Sequence, residues 1–285
     1  MTKPIRLIPR LDIKGPNLVK GVNLEGLRVL GKPLEFVKYY YNSGADEIIY
    51  TDIVASLYDR EFIKKIVNET AKMIFIPITV GGGIRTLKDI EEVLRFGADK
   101  ISLNTAAIKN PKLIKESVNF FGSSTISVSI EAIKHSDGKY YAYFNNGRDC
   151  SNFEVIDWAK KIENYGAGEI ILTSISNEGT RSGFDIDLIK SVSKITSLPV
   201  IVHGGAGKIE HIIDVIKDSS ISGVALSSIL HYEAISNIKF DKKKHQEGNL
   251  EFITKFNSQT NNKNINYKIP QIKSLLRKEN IICRI

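Results

Sequence analysis

The chain has 285 residues, 42% hydrophobic and 25% charged, enough for one large α/β domain or two smaller ones, and nothing suggests global disorder. Its net charge of +8 comes from lysines spread along the chain and lacks the clustered Arg, Lys and aromatic residues of a nucleic-acid groove, so an anionic small substrate explains it as well as RNA. Lys3, Arg6, Arg10 and Asp12 interrupt any signal-peptide core and no apolar run nears the roughly 20 residues that span a bilayer, so a cytoplasmic protein without membrane contact is expected.

Taken in order, short apolar runs predict strands at Ile5 to Leu11, Glu47 to Thr51, Ile74 to Val80, Lys100 to Leu103, Ile126 to Ile130, Glu169 to Thr173, Val200 to Val202 and Gly223 to Leu226. Helical spacing lies between them, as at Leu34, Val37, Tyr40 and Tyr41, at Ile90, Val93 and Leu94, and at Leu188, Ile189 and Val192. This alternation suits a single (β/α)8 TIM barrel spanning residues 1 to 285, and also a doubly wound sheet. After Ile238 the periodicity fails. Residues 240 to 268, rich in Lys, Asn and Gln, read as a surface insertion or flexible loop, and Pro270 then opens a last helix with Ile272, Leu275 and Leu276 at helical spacing. The tight basic run Lys242, Lys243 and Lys244 reads as solvated surface.

An internal repeat separates the two architectures. Ile76-Pro-Ile-Thr-Val-Gly-Gly-Gly-Ile84 resembles Leu198-Pro-Val-Ile-Val-His-Gly-Gly-Ala206, and Gly44-Ala-Asp-Glu-Ile-Ile-Tyr-Thr-Asp52 resembles Gly166-Ala-Gly-Glu-Ile-Ile-Leu-Thr-Ser174. Two similar four-unit halves close naturally into an eight-stranded ring.

In such barrels the chemistry lies at the C-terminal ends of the strands. There the first strand carries Asp12 and its counterpart in the second half carries Glu131. Two carboxylates at equivalent positions suit paired acid and base catalysis, though each could instead cap a helix or pair with a lysine. Glycine clusters followed by hydroxyl residues are duplicated too: Gly81 to Gly83 with Asn104 and Thr105, and Gly204, Gly205 and Gly207 with Ser227 and Ser228. Each can offer backbone amides to a phosphate, so a substrate with a phosphate at each end would bridge the mouth. Cys150 and Cys283 lack the spacing of a zinc site or redox pair, and neither a metal nor an organic cofactor is implied.

Several segments together resemble the cyclase subunit of imidazole glycerol phosphate synthase from histidine biosynthesis. They are Ile8-Pro-Arg-Leu-Asp12, Leu18-Val-Lys-Gly21, Val80-Gly-Gly-Gly-Ile84, Gly97-Ala-Asp-Lys-Ile-Ser-Leu-Asn-Thr-Ala106, Gly166 to Ser174, Gly179-Thr180 with Gly183-Phe-Asp185, and Gly204-Gly-Ala-Gly207. The resemblance implies a (β/α)8 lyase, half of a heterodimeric glutamine amidotransferase complex. Such a subunit uses ammonia from a glutaminase partner to convert a phosphoribulosyl-formimino aminoimidazole carboxamide ribotide to imidazole glycerol phosphate. It further implies Asp12 as principal acid/base and Glu131 as its partner, with Lys20, Asp52 and Thr173 lining the pocket. One phosphate would lie at Gly83, Asn104 and Thr105, the other at Gly179, Gly205, Ser227 and Ser228. At the opposite end Arg6, Glu47, Lys100 and Glu169 would form a charged ammonia gate, or an ordinary salt-bridge floor, with Asp99 at the partner interface.

Departures from the family pattern mark particular positions. Glu131 stands where aspartate is usual, an extra methylene of about 1.5 Å. Arg10 replaces a typical cysteine, Ser176 a typical aspartate and His203 a typical serine; His203 could serve proton transfer, phosphate binding or structure alone. These changes resemble a side branch of the family linked to surface-polysaccharide amidation, in which the barrel mainly channels ammonia. The neighbouring sugar isomerase of histidine biosynthesis, which needs no ammonia gate, and a non-catalytic scaffold that activates a glutaminase are further readings.

Overall fold

A computed structural model of the chain describes residues 4–54, 61–238 and 267–284. The expected insertion at 240–268 lies outside the described residues except for its last two positions.

The first half contains β1 (Arg6–Lys14), β2 (Asn17–Val22), β3 (Glu25–Gly31), α1 (Pro33–Asn42), β4 (Ile48–Asp52), α2 (Glu61–Ala71), β5 (Ile78–Gly81), α3 (Leu87–Arg95), β6 (Lys100–Leu103), α4 (Thr105–Lys109) and α5 (Lys112–Phe121). The second contains β7 (Ile126–Lys134), β8 (Tyr140–Phe144), β9 (Asp149–Glu154), α6 (Val155–Asn164), β10 (Glu169–Ser174), α7 (Ile186–Ser193), β11 (Val200–His203), α8 (Ile209–Asp218), β12 (Gly223–Leu226) and α9 (Ser228–Asn237). The last described helix is α10 (Ile269–Lys278), opened by Pro270 in its first turn as expected, with Ile272 and Leu276 buried.

Parallel pairing runs β1, β4, β5, β6, β7, β10, β11, β12 and back to β1, closing an eight-stranded ring. The barrel expected from the duplication is therefore the fold, and an open doubly wound sheet is excluded by the β12 to β1 closure. Four further strands went unpredicted. β2 and β3 form a hairpin against β1, and β8 and β9 form its counterpart against β7.

These hairpins correct where the acids sit. Asp12 and Glu131 are not at the strand termini, because β1 and β7 run on past the ring to pair antiparallel with β2 and β8. The positions are nevertheless equivalent: Asp12 registers with Thr51 of β4, and Glu131 with Thr173 of β10.

β-branched residues dominate the ring because its strands are covered on both faces. Outward-facing side chains pack against the helices in the main core, exemplified by Leu7, Leu11, Tyr50 and Val80. Inside the ring, Ile8, Ile49, Ile171, Ile201 and Ala225 form a separate apolar cluster. Each fully buried isoleucine contributes about 2 kcal/mol of transfer free energy. Local signals fix the helix starts. Thr86 and Asp89 make a reciprocal capping box on α3, and Asp185 accepts the Leu188 amide at the start of α7.

Candidate active site

At the mouth, alternation along β1 turns Arg10 and Asp12 inward two residues apart. Arg10 is 2% exposed, and its Nε donates to Asp12 Oδ1 at 3.2 Å. Its Nη1 reaches Thr173 Oγ1 at 3.1 Å and His203 Nδ1 at 3.2 Å. Burial alone would weaken the guanidinium's hold on its proton, but Asp12, Glu131 and Glu178 outweigh it and raise the Arg10 pKa.

Arginine can only donate, so Nδ1 of His203 accepts and its Nε2 carries the proton. Nε2 faces Ser227 Oγ at 3.3 Å, and Ser227 in turn donates to the Arg10 carbonyl at 2.9 Å. Burial first, then the charges of Arg10 and Lys20, hold the His203 pKa well below the ordinary histidine value. Both ring nitrogens are thus engaged, and the proton-transfer reading of His203 gives way to one in which the neutral ring braces Arg10.

Glu131 behaves differently. It is buried with Oε2 lacking a hydrogen-bond partner, and the Gly147 amide of the β8–β9 turn bonds to the carboxyl. Burial pushes its pKa up to about 7, helped by Asp12 and Glu178 and opposed by Arg10 and that amide. Glu131 therefore titrates near neutrality.

Lys20 on β2 is buried against Glu178, with which it forms an ion pair, and also donates to the Gly21 carbonyl at 2.9 Å. The other Glu178 oxygen accepts the Leu24 amide at 3.1 Å, and its carbonyl accepts the Asn23 amide at 2.8 Å. This carboxylate ties the β2–β3 turn to the loop after β10. Sequence reading did not single out Glu178, which sits in an irregular segment; its partner Lys20, 158 positions away, was the available signal.

A cavity of about 680 Å³ opens beside these groups. Its wall holds Asp52, Gly83, Asn104, Thr105 and Glu131 from the expected site, and also Arg10. Exposed Arg85, Lys109 and Arg148, unnoticed in the sequence, add positive charge to it. Asn104 is occupied structurally: its Nδ2 donates to the Ser129 and Tyr143 carbonyls, both at 3.1 Å. Thr105 Oγ1 accepts the Asn145 amide at 3.0 Å. The Asn104 and Thr105 side chains thus make hydrogen bonds within the protein, while Arg85, Lys109 and Arg148 make this wall electropositive.

Gly179, Gly205, Ser227 and Ser228 of the second half lie off the wall of this cavity, as do Asp12, Lys20 and Thr173. A Cβ on Gly205, at φ +105°, would stand 1.8 Å from the Gly183 carbonyl oxygen, and one on Gly179 would stand 2.6 Å from that of Gly21. These glycines let neighbouring loops cross backbone to backbone. Gly82 does the same in the first half, where a Cβ would lie 2.1 Å from the Asp52 carbonyl oxygen.

At the opposite end of the axis the four expected charges come together. Arg6 bonds Glu47 at 3.0 Å and Glu169 at 2.5 Å, while Lys100 reaches Glu47 at 3.1 Å and Glu169 at 3.4 Å. The result is a ring of alternating sign, with Thr79 donating to Glu47 at 2.6 Å. Asp99 is exposed beside it and accepts the Ile78 amide at 2.8 Å. Among the described residues no group of three His, Cys, Asp or Glu could hold a metal ion, and no helix is long and apolar enough to cross a membrane.

The sequence profile of the histidine biosynthesis protein family matches residues 6–236. The chain belongs to that family. Within it, the chain is similar to the HisF subunit of imidazole glycerol phosphate synthase from Legionella pneumophila, 56% identical over 206 residues, covering 72% of this chain and 97% of the relative. HisF subunits from Bacillus cereus strain G9842 and Methanococcus vannielii are 44% and 43% identical, each covering 86% of this chain and 97% of the relative. This HisF family membership confirms the resemblance carried by the sequence motifs.

Proposed function

We propose that the chain is the cyclase subunit of imidazole glycerol phosphate synthase. It takes ammonia from a glutaminase partner and converts the phosphoribulosyl-formimino aminoimidazole carboxamide ribotide to imidazole glycerol phosphate, a carbon–nitrogen lyase reaction. The observation that carries this reading is the pair of buried acids on equivalent rungs, Asp12 and Glu131, set above a charged ring at the far end of the same barrel axis.

In this reading ammonia enters between Arg6, Glu47, Lys100 and Glu169, and one phosphate rests on Gly83 and the amides near Asn104 and Thr105 within the cationic rim. Glu131, with its pKa near neutrality, gives a proton to the departing nitrogen, and Asp12 accepts one during ring closure. Lys20, Asp52 and Thr173 orient the intervening chain. The second phosphate goes to Gly179, Gly205, Ser227 and Ser228. The glutaminase docks on the floor, where Asp99 is joined by Phe75, 85% exposed just before β5, and Phe120, 69% exposed near the end of α5. A cytoplasmic setting suits this pathway.

The engagement of Asp12 by the buried Arg10 favours one other reading, an ammonia-channelling subunit for amidation of a surface-polysaccharide sugar. Both are tested by expressing the chain with its glutaminase in a histidine-requiring strain that lacks its own cyclase. Growth without histidine supports the cyclase. No growth from a soluble, partner-binding chain rejects it in favour of the channel.

A further inference from the structure

Arg10 has no role in the functional reading above, yet its side chain reaches Asp12, Thr173 and His203 at the mouth. We propose that Arg10 is a positioning residue that breaks the symmetry of the two acids, holding Asp12 by a direct hydrogen bond while acting on Glu131 through its charge alone, with His203 as its brace.

The geometry is one-sided. The two halves of the barrel set Asp12 and Glu131 on matching rungs, so the fold alone gives them matching environments. Arg10 Nε donates to Asp12, whereas its Nη1 goes to His203 and to Thr173, the register partner of Glu131, rather than to the Glu131 carboxyl. In the second half the rung matching Arg10 is Ser129, since Arg10 registers with Ile49 and Ser129 with Ile171. A serine cannot pair with Glu131 as a guanidinium pairs with Asp12. The neutral His203 ring accepts from Nη1 and is itself held by Ser227, which donates to the carbonyl of Arg10. Arg10 and His203 thus form one closed circuit, and replacing either alone leaves a buried polar atom unpartnered.

The charged groups surrounding Glu131 are Arg10 and Asp12 on β1 and Glu178 after β10, the last neutralised by Lys20 of β2. From the hairpin turn Arg148 and Asp149 line the same cavity, as does Asp52 at the end of β4. Of these, Arg10 is the cation that bears directly on Glu131 and opposes its upward shift.

The inference rests on the cyclase reading for its catalytic consequence, but the test has a part that does not. The Glu131 carboxyl is titrated by infrared difference spectroscopy of the full chain without substrate, with E131Q identifying its band. In parallel, kcat/KM for ammonium-driven cyclisation is followed against pH. The wild type is expected to lose activity as pH rises through about 7, where Glu131 gives up its proton. R10M should move both the band's midpoint and this alkaline limb upward by about one pH unit, while R10K, which keeps the charge, should move them by less than half of that. If R10M does not fold, the paired change R10C with H203S, which removes the cation and its brace together, serves in its place and should give the same upward shift. An unmoved Glu131 midpoint in the charge-removing variant, or equal shifts in R10M and R10K, would overturn the proposal. A moved midpoint in a chain that never turns over the bisphosphate sustains the Arg10 assignment and rejects the cyclase reading.

Discussion

Replacing Lys20 with methionine should be among the most damaging single changes in the mouth. Lys20 is 3% exposed and Glu178 1%, so their ion pair is shut off from water. K20M keeps the aliphatic stem but strands the Glu178 carboxylate, which retains the Leu24 amide at 3.1 Å and faces the negative charge of Asp12 and Glu131. Removing one partner of a buried pair costs about 3–5 kcal/mol, most of it the unpaid desolvation of the survivor. At about 2 °C per kcal/mol for a chain of this size, the melting midpoint should drop by about 6–10 °C. Urea unfolding followed through the single tryptophan, Trp158, which is fully buried, reads the loss directly. The double variant K20M with E178Q removes both charges, keeps an acceptor for the Leu24 amide and should recover to within about 1 kcal/mol of the wild type. A K20M chain within about 1 kcal/mol of the wild type would refute the reasoning.

Two other expectations follow from the floor and the wall. With R6A, Lys100 is the cation left to Glu47 and Glu169 among the described residues, and the alternating ring opens; glutamine-driven product formation should fall several-fold relative to that driven by free ammonium, and an unchanged ratio would count against the gate. His231 is fully buried against the Tyr40 hydroxyl at 2.6 Å, and burial, with help from Lys20, lowers its pKa from 6.5 to about 3. Because the folded value lies below the unfolded one, this contribution is complete above pH 6.5 and is lost as pH falls. Between pH 6 and pH 4 the wild type should lose about 2.5 kcal/mol more than H231Q, as measured by urea unfolding at each pH.

Much of the fold was legible because its signals are local and repeated. Runs such as Ile76 to Val80 and Leu198 to Val202 stand between glycines, and their duplication distinguished a ring from an open sheet. The hairpins escaped notice because β2 interrupts its apolar pattern with Lys20 and Gly21, while β8 is carried by tyrosines. The Asn145-Asn146-Gly147 turn, with φ of +54°, +59° and +75°, was the signal for the second hairpin. Asp12 and Glu131 were singled out from their equivalent repeat positions, and the four floor charges, which do meet in the structure, from the family resemblance. Glu178 and the Arg10 to His203 contact were not, since each joins residues more than 150 positions apart that only closure of the ring brings together. The glycines of the second half were visible, but their close backbone crossings were not: a Cβ on Gly179 or Gly205 would meet the Gly21 or Gly183 carbonyl, contacts between distant loops that no single-sequence pattern shows.

Between the floor ring and the acids lies the girdle of Ile8, Ile49, Ile171, Ile201 and Ala225. Its consequence concerns protonation state. A cation pushed along the axis would shed its hydration with nothing to replace it, while a small neutral molecule would lose little. Whatever nitrogen passes from floor to mouth must leave its extra proton behind and arrive with a free lone pair, even where the surrounding solution holds almost all of it as ammonium.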